Sequence, residues 1–220
     1  MTRIVTILSL VLALVLAGCD SASKSTDAAN EETVIQQSQK AHLLEQIEQK
    51  YENPEAHYQL GKLSYAEGQL DKADFEYRVA LGFNPVHYRA QAGVVKVATD
   101  QKQTERAQII AELYISQAAV SAPASLRLGK AFQNEGLGAY ALSCYYQATG
   151  LTPKSPEPYK LLGYYYLGEN DQVRAEENFR RSFELDPYQT DIAGELGRMG
   201  VIIGLPRTTD IEAAPESQQQ

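Results

Sequence analysis

An all-α fold of stacked helical hairpins is predicted by three observations. Leu60-Gly61, Leu128-Gly129, Leu162-Gly163 and Leu196-Gly197 recur at spacings of 68, 34 and 34 residues, and 68 is twice 34. A fixed period of that length marks repeats that each contribute one helix–turn–helix. Small and large residues hold fixed places within the period. Asn84-Pro85 and Asp186-Pro187 fall where a helix must end, because the residue before proline avoids the helical region.

Numbered from 1 to 34, the units begin at Pro54, Tyr88, Ala122 and Pro156 and span 54–87, 88–121, 122–155 and 156–189. The first carries Leu60-Gly61 at positions 7 and 8, Gly68 at 15, Ala73 at 20, Tyr77 at 24, Ala80 at 27 and Pro85 at 32. The third repeats this with Leu128, Gly129, Phe132, Gly136, Ala141, Tyr145, Ala148 and Pro153. The fourth has Tyr159, Leu162, Gly163, Tyr166, Ala175, Phe179, Ser182 and Pro187. Small residues at 8, 20 and 27 let two helices cross closely, and large ones at 4, 7, 11 and 24 fill the space around the crossing. Pro54 and Pro156 suit a first turn, where a missing N–H is tolerated. The second unit is degenerate, with Val94-Val95 at 7 and 8, Ala107 at 20, Ala111 at 24 and Tyr114 at 27. Its exchanged sizes at 24 and 27 are expected to compensate in volume.

These residues resemble the tetratricopeptide repeat, over 54–203. The resemblance implies a superhelix of about four hairpins between capping helices, with a domain spanning 33–204. The leading cap is expected at 33–51, where Val34, Ile35, Ala41, Leu44, Ile47 and Tyr51 follow a helical period. A C-terminal cap is expected at 190–204. Residues 205–220 are polar, end in three glutamines and are expected to be disordered.

The N-terminus points to a compartment. Arg3 precedes an apolar run from Ile4 to Ala17, 14 residues long. A spanning helix needs about 20, so the run fits a secretory signal over 1–18. Leu16-Ala17-Gly18-Cys19 resembles the bacterial lipobox, which implies cleavage before Cys19 and acylation of that cysteine. Stable anchoring takes two lipid signals, and a di- or triacylated cysteine meets that need. Asp20 resembles the inner-membrane retention signal of enterobacterial-type lipoproteins, so a lipid-anchored, periplasm-facing protein of the inner rather than the outer membrane is expected. Residues 19–32, the acylated cysteine and a polar stretch after it, are expected to form a flexible tether.

Removing residues 1–18 takes away only Arg3 and leaves 19 basic against 28 acidic side chains, a net charge of about −9. Such acidity excludes nucleic acid as an expected partner. With Cys19 acylated, Cys144 has no internal disulfide partner and is expected to be a small packing residue. His42, His57 and His87 are expected to serve packing or the surface. Asp71, Asp74 and Glu76 are expected on a solvated helix face. No phosphate loop, nucleophile elbow or metal-ligand spacing is present in the sequence, so neither catalysis nor a cofactor is expected beyond the lipid on Cys19, and no small-molecule substrate.

The expected function is protein or peptide binding. Position 9 holds Lys62, Lys96, Lys130, Tyr164 and Arg198, each 34 residues from the last. In the family that these repeats resemble, first helices line a concave groove, and contacts fall at positions 2, 5, 6, 9, 12 and 13. That adds Tyr58, Tyr65, Arg89, Arg127, Gln133 and Lys160. A basic, tyrosine-rich groove would attract a protein with an acidic segment. By architecture the chain resembles pilotin-like assembly lipoproteins of type IV and Flp-type pili and secretion systems. Docking of peptidoglycan enzymes is the alternative expectation.

Overall fold

The computed structural model describes the backbone of residues 19–204 and the side chains of 34–204. The expected signal peptide and the expected disordered tail lie outside these residues. Among the described residues there are ten helices and no strand: α1 (Cys19–Gln49), α2 (Pro54–Ala66), α3 (Leu70–Phe83), α4 (Tyr88–Asp100), α5 (Thr104–Ala118), α6 (Ala122–Asn134), α7 (Gly138–Leu151), α8 (Pro156–Gly168), α9 (Gln172–Leu185) and α10 (Thr190–Arg198). The fold class is all-α, as the period predicts. The chain forms two compact units, divided after Phe83.

The expected tether differs from what is observed. Residues 19–32 belong to α1. No glycine or proline interrupts Cys19 to Glu32 and three alanines lie within it, so nothing stops the helix from propagating back from Thr33.

One device closes every hairpin. The residue at position 15 has positive φ: Gly68 at 74°, Lys102 at 61°, Gly136 at 71° and Asn170 at 60°. The next N–H then reaches back five residues, as in Gln69 N to Ser64 O at 2.8 Å and Asp171 N to Tyr166 O at 2.9 Å. This is the Schellman arrangement, which satisfies carbonyls that a helix end leaves without partners. Three residues suffice to join the two helices, so the second folds directly back on the first. Helix starts are also capped by side chains. Asn53 accepts from Ala56 N, Ser121 from Ala124 N and Asp171 from Arg174 N. His87 does the same for α4, accepting from Ala90 N at 3.2 Å.

In the first unit, α2 crosses α3 at Gly61. A Cβ there would lie 2.6 Å from Cδ1 of Tyr77, which is buried. Tyr58 stacks at a tilt on the same Tyr77 ring, with centroids 5.8 Å apart.

The second unit repeats this crossing twice. A Cβ on Gly129 would lie 2.7 Å from Cε1 of Tyr145 and 2.9 Å from Cβ of Cys144. On Gly163 it would meet the Phe179 ring, with Cγ at 2.9 Å. Both rings are fully buried, and so is Cys144. In α4 and α5 the sizes are exchanged instead. Val95 stands where the others have glycine, Ala111 stands where they have an aromatic ring, and both are buried. Tyr114, at the small position 27, is partly buried against the same core. Adding a Cβ at position 8 thus goes with removing the ring that would collide with it.

Candidate functional site: the first-helix cations and their partners

The eleven residues expected to form a groove do not share one fate. Tyr58 is a correction: it is 4 % exposed and belongs to the core of the first unit. Position 5 faces outward only if the ring across the hairpin leaves it room, and Tyr77 draws Tyr58 inward. Tyr65 is half-buried.

Several expected cations carry a counter-charge. Lys96 pairs with Asp100 one turn on, at 2.9 Å. Arg198 pairs with Glu195. Lys160 on α8 reaches Asp191 on α10 at 2.7 Å, and the hydroxyl of Tyr164 lies 3.4 Å from the same carboxylate. Burial alone would lower the Lys160 pKa, but the hydrogen bond and charge of Asp191 outweigh it and raise the value. Burial alone would raise Asp191, and Lys160 more than reverses that, holding the carboxyl below its ordinary value. Desolvation, with Asp191 nearby, raises the Tyr164 hydroxyl. The Tyr164 ring packs edge-on to Phe179 at 5.0 Å, so it serves the hairpin crossing as well as the surface. Gln133 is exposed but accepts a 2.6 Å hydrogen bond from the buried Tyr145.

What remains of the expected basic ladder is shorter. Arg89 is exposed and holds an interaction of its own. Lys62, Arg127 and Lys130 are exposed and have no ion pair among the described residues. Arg127 and Lys130 are three apart on α6, hence neighbours on one helix face. Lys62 stands at the rim of a cleft between α1 and α2 of about 390 Å³, lined by Gln39, His42, Leu43, Gln59, Lys62, Leu63 and Ala66. Nearby, Lys40 is neutralised by Glu67 at 2.7 Å. The cleft therefore offers an aliphatic floor with one uncompensated cation at its edge.

Sequence reasoning missed a buried polar pair. His57 Nδ1 lies 2.8 Å from Glu76 Oε2, and its Nε2 lies 3.0 Å from the carbonyl oxygen of Tyr51. A carbonyl only accepts, so the ring donates from Nε2, and one proton lies between Nδ1 and the carboxylate. Both side chains are buried. The expectation of a solvated Glu76 is thus corrected. The signal lay in the register: positions 4 and 23 face each other across the hairpin, and Ser125 and Cys144 take the same two places in the third unit. The pair ties the end of α1 to the α2–α3 hairpin. It reaches no cation cluster, and no group of three metal-binding side chains occurs among the described residues.

Residues 54–87 match the family model described as the tetratricopeptide repeat. The fold is an all-α array of helical hairpins, and the match covers one of them, α2 and α3. No curated protein matches the sequence. Among solved structures, the chain is similar to MamA from residue 41 to the end, of Desulfovibrio magneticus RS-1. Identity is 22 %, covering 77 % of this chain and 97 % of that one, with a TM-score of 0.39. It is similar to TTC0263, a thermophilic tetratricopeptide protein of Thermus thermophilus, at 18 % identity over 72 % and 87 % with a TM-score of 0.40. A third likeness is to YrrB, described as a tetratricopeptide protein with an unusual peptide-binding site, at 16 % identity over 70 % and 96 % with a TM-score of 0.35.

Proposed function

We propose that this chain is a lipid-anchored scaffold facing the periplasm, which holds an acidic segment of a partner protein while an envelope machine of the pilus or secretion type is assembled. The observation that carries the binding reading is the set of exposed first-helix cations without counter-charge, Lys62, Arg127 and Lys130, in a chain that is otherwise acidic. Local positive charge on a negative molecule steers an anionic partner, to Lys62 in the first unit and to Arg127 and Lys130 in the second. The Lys62 cleft suits a carboxylate beside an aliphatic side chain. The anchor reading rests on Leu16-Ala17-Gly18-Cys19 after a short apolar run, and the inner-membrane reading rests on Asp20.

The binding reading is tested by in-cell photo-crosslinking from position 134, exposed one turn beyond Lys130 on α6, in the parent chain and in a variant with Lys62, Arg127 and Lys130 changed together to Glu. Capture of an envelope-assembly protein, lost in the triple variant, supports the proposal. Unchanged capture in that variant rules it out. The anchor is tested by palmitate labelling, and Cys19→Ser should abolish the label and release the chain from membranes. Labelling that survives the substitution would exclude Cys19 as the acylated residue.

A further inference from the structure

The repeats carry an internal record of what fits against a Leu-Gly first helix. Three times, a second helix lays an aromatic ring over the glycine: Tyr77 over Gly61, Tyr145 over Gly129 and Phe179 over Gly163. Each ring is flanked by small residues four before and three after: Ala73 and Ala80, Ala141 and Ala148, Ala175 and Ser182. All six are buried at the crossing.

Helix α10 presents the same first-helix pattern without that cover. Ile192 and Leu196 face inward and are fully buried, as the repeat demands. Leu196-Gly197 stands in register, yet among the described residues a Cβ on Gly197 would meet nothing within 4 Å. The cause is a turn that comes four residues early. The positive-φ residue that follows a first helix stands at position 15 in the four repeats but at position 11 here, as Gly200 with φ 79°. Val201 N then bonds Leu196 O at 2.9 Å, and Val201 to Ile203 leave as a non-helical strap. Between this strap and α10 lies an apolar cleft of about 460 Å³, lined by Thr190, Ala193, Gly194, Val201, Ile202 and Ile203. Ala193 and Gly197 occupy positions 4 and 8, the two that a second helix covers in the complete repeats. Ile202 is 98 % exposed at the rim.

We propose that this open face of α10 is a docking site for an amphipathic helix of a partner protein, carrying the pattern small–x–x–x–aromatic–x–x–small. The cleft continues the helix-on-helix stacking that runs from α8 and α9 into α10, so an occupant of that pattern extends an interface already present. Residues 205–220 contain no aromatic and include Pro206 and Pro215, and α1 contains no aromatic. The helices that do carry the pattern, α3, α7 and α9, are engaged on their own first helices, so a second copy has none to lend. Its lining residues do not include Lys62, Arg127 or Lys130.

The test uses the full chain and a fluorescein-labelled peptide with the α9 sequence, Gln172–Leu185, read by anisotropy. Saturable binding is expected. It should weaken at least tenfold when the peptide carries Phe179→Ala, and at least tenfold when the chain carries Gly197→Leu. The latter fills open space, and circular dichroism checks that it stays folded. The Lys62, Arg127 and Lys130 to Glu variant should bind the peptide as the parent does. Binding indifferent to Gly197→Leu would overturn the proposal, as would the absence of saturable binding below about 1 mM with both the α7 and α9 peptides. Attachment of the chain to phosphatidylglycerol vesicles that Ile202→Asp abolishes and the peptide does not compete with would also overturn it, and would assign the strap to a lipid surface.

Discussion

Adding one methyl group to each of two equivalent glycines should change stability in opposite directions. Gly163 and Gly197 both occupy position 8 of a first helix. Glycine to alanine inside a helix gains about 1 kcal/mol from backbone propensity. At Gly163 the new Cβ would run into the Phe179 ring, whose Cγ would stand 2.9 Å away. That ring is fully buried and held edge-on by Tyr164 at 5.0 Å, so it has no empty space to turn into. Overpacking of this kind costs about 2–3 kcal/mol at the strained end of its range, which leaves a net loss of about 1–2 kcal/mol. At Gly197 nothing among the described residues lies within 4 Å, and only the propensity gain remains, about 0.5–1 kcal/mol near the end of a helix. For a domain of this size the thermal midpoint should fall by about 3–6 °C in Gly163→Ala and rise by about 1–3 °C in Gly197→Ala. Urea unfolding followed by circular dichroism measures both. Phe179→Leu should be less damaging in the Gly163→Ala background than alone, because the two sites share the collision. Shifts of the same sign in the two single variants would refute the crossing argument.

The buried pair in the first unit should be costly to break on one side. His57→Leu leaves Glu76 buried without its partner, a loss of about 3 kcal/mol in urea unfolding, and the double change to leucine should recover most of it. Lys102 sits at φ 61°, where a side chain is strained by about 1–2 kcal/mol, so Lys102→Gly should gain about 0.5–1 kcal/mol once the extra backbone entropy of glycine is set against it. The Lys160–Asp191 pair should make the attachment of α10 sensitive to acid. Asp191 has a depressed folded pKa, so its contribution is present above the ordinary carboxylate value of about 3.9 and is lost as pH falls through the lower folded value. Lys160 has a raised one, so its contribution is lost only above the ordinary lysine range. Amide protection factors in α10, corrected for intrinsic exchange, should therefore fall in acid in the parent chain, and Asp191→Asn should flatten that dependence. Burial pushes the Cys144 thiol up to about 12, so it should resist iodoacetamide in the folded chain at mildly alkaline pH and react once unfolded. Prompt alkylation of the native chain would show that α6 and α7 open there.

Much of the fold was legible because its determinants are local and periodic. A glycine at position 8 and a ring at position 24 lie sixteen residues apart within one hairpin, and the pattern recurs, so each repeat checks the others. The degenerate unit obeys the same rule in reverse: Val95 takes the glycine place and Ala111 the ring's. The candidate site was legible only in part. Lys62 and Lys130, which the period puts at position 9, are exposed, but the period could not show that Lys96, Lys160 and Arg198 are each answered by a carboxylate, or that Tyr58 is drawn inward by Tyr77.

By itself the sequence determined the helical class, the 34-residue register and the small-against-large chemistry of each crossing, because these depend on residues one hairpin apart. The tertiary structure alone decided which charges are free. A pair such as Lys160–Asp191 joins a repeat to a capping helix that follows the period only in part. Whether a side chain one or two turns away meets its counter-charge depends on rotamers and on the angle between helices, which no spacing encodes. It also decided that Gly197, which follows a leucine at position 8 like three covered glycines, stands open among the described residues, where an early turn at Gly200 is followed by Val201 to Ile203 as a non-helical strap.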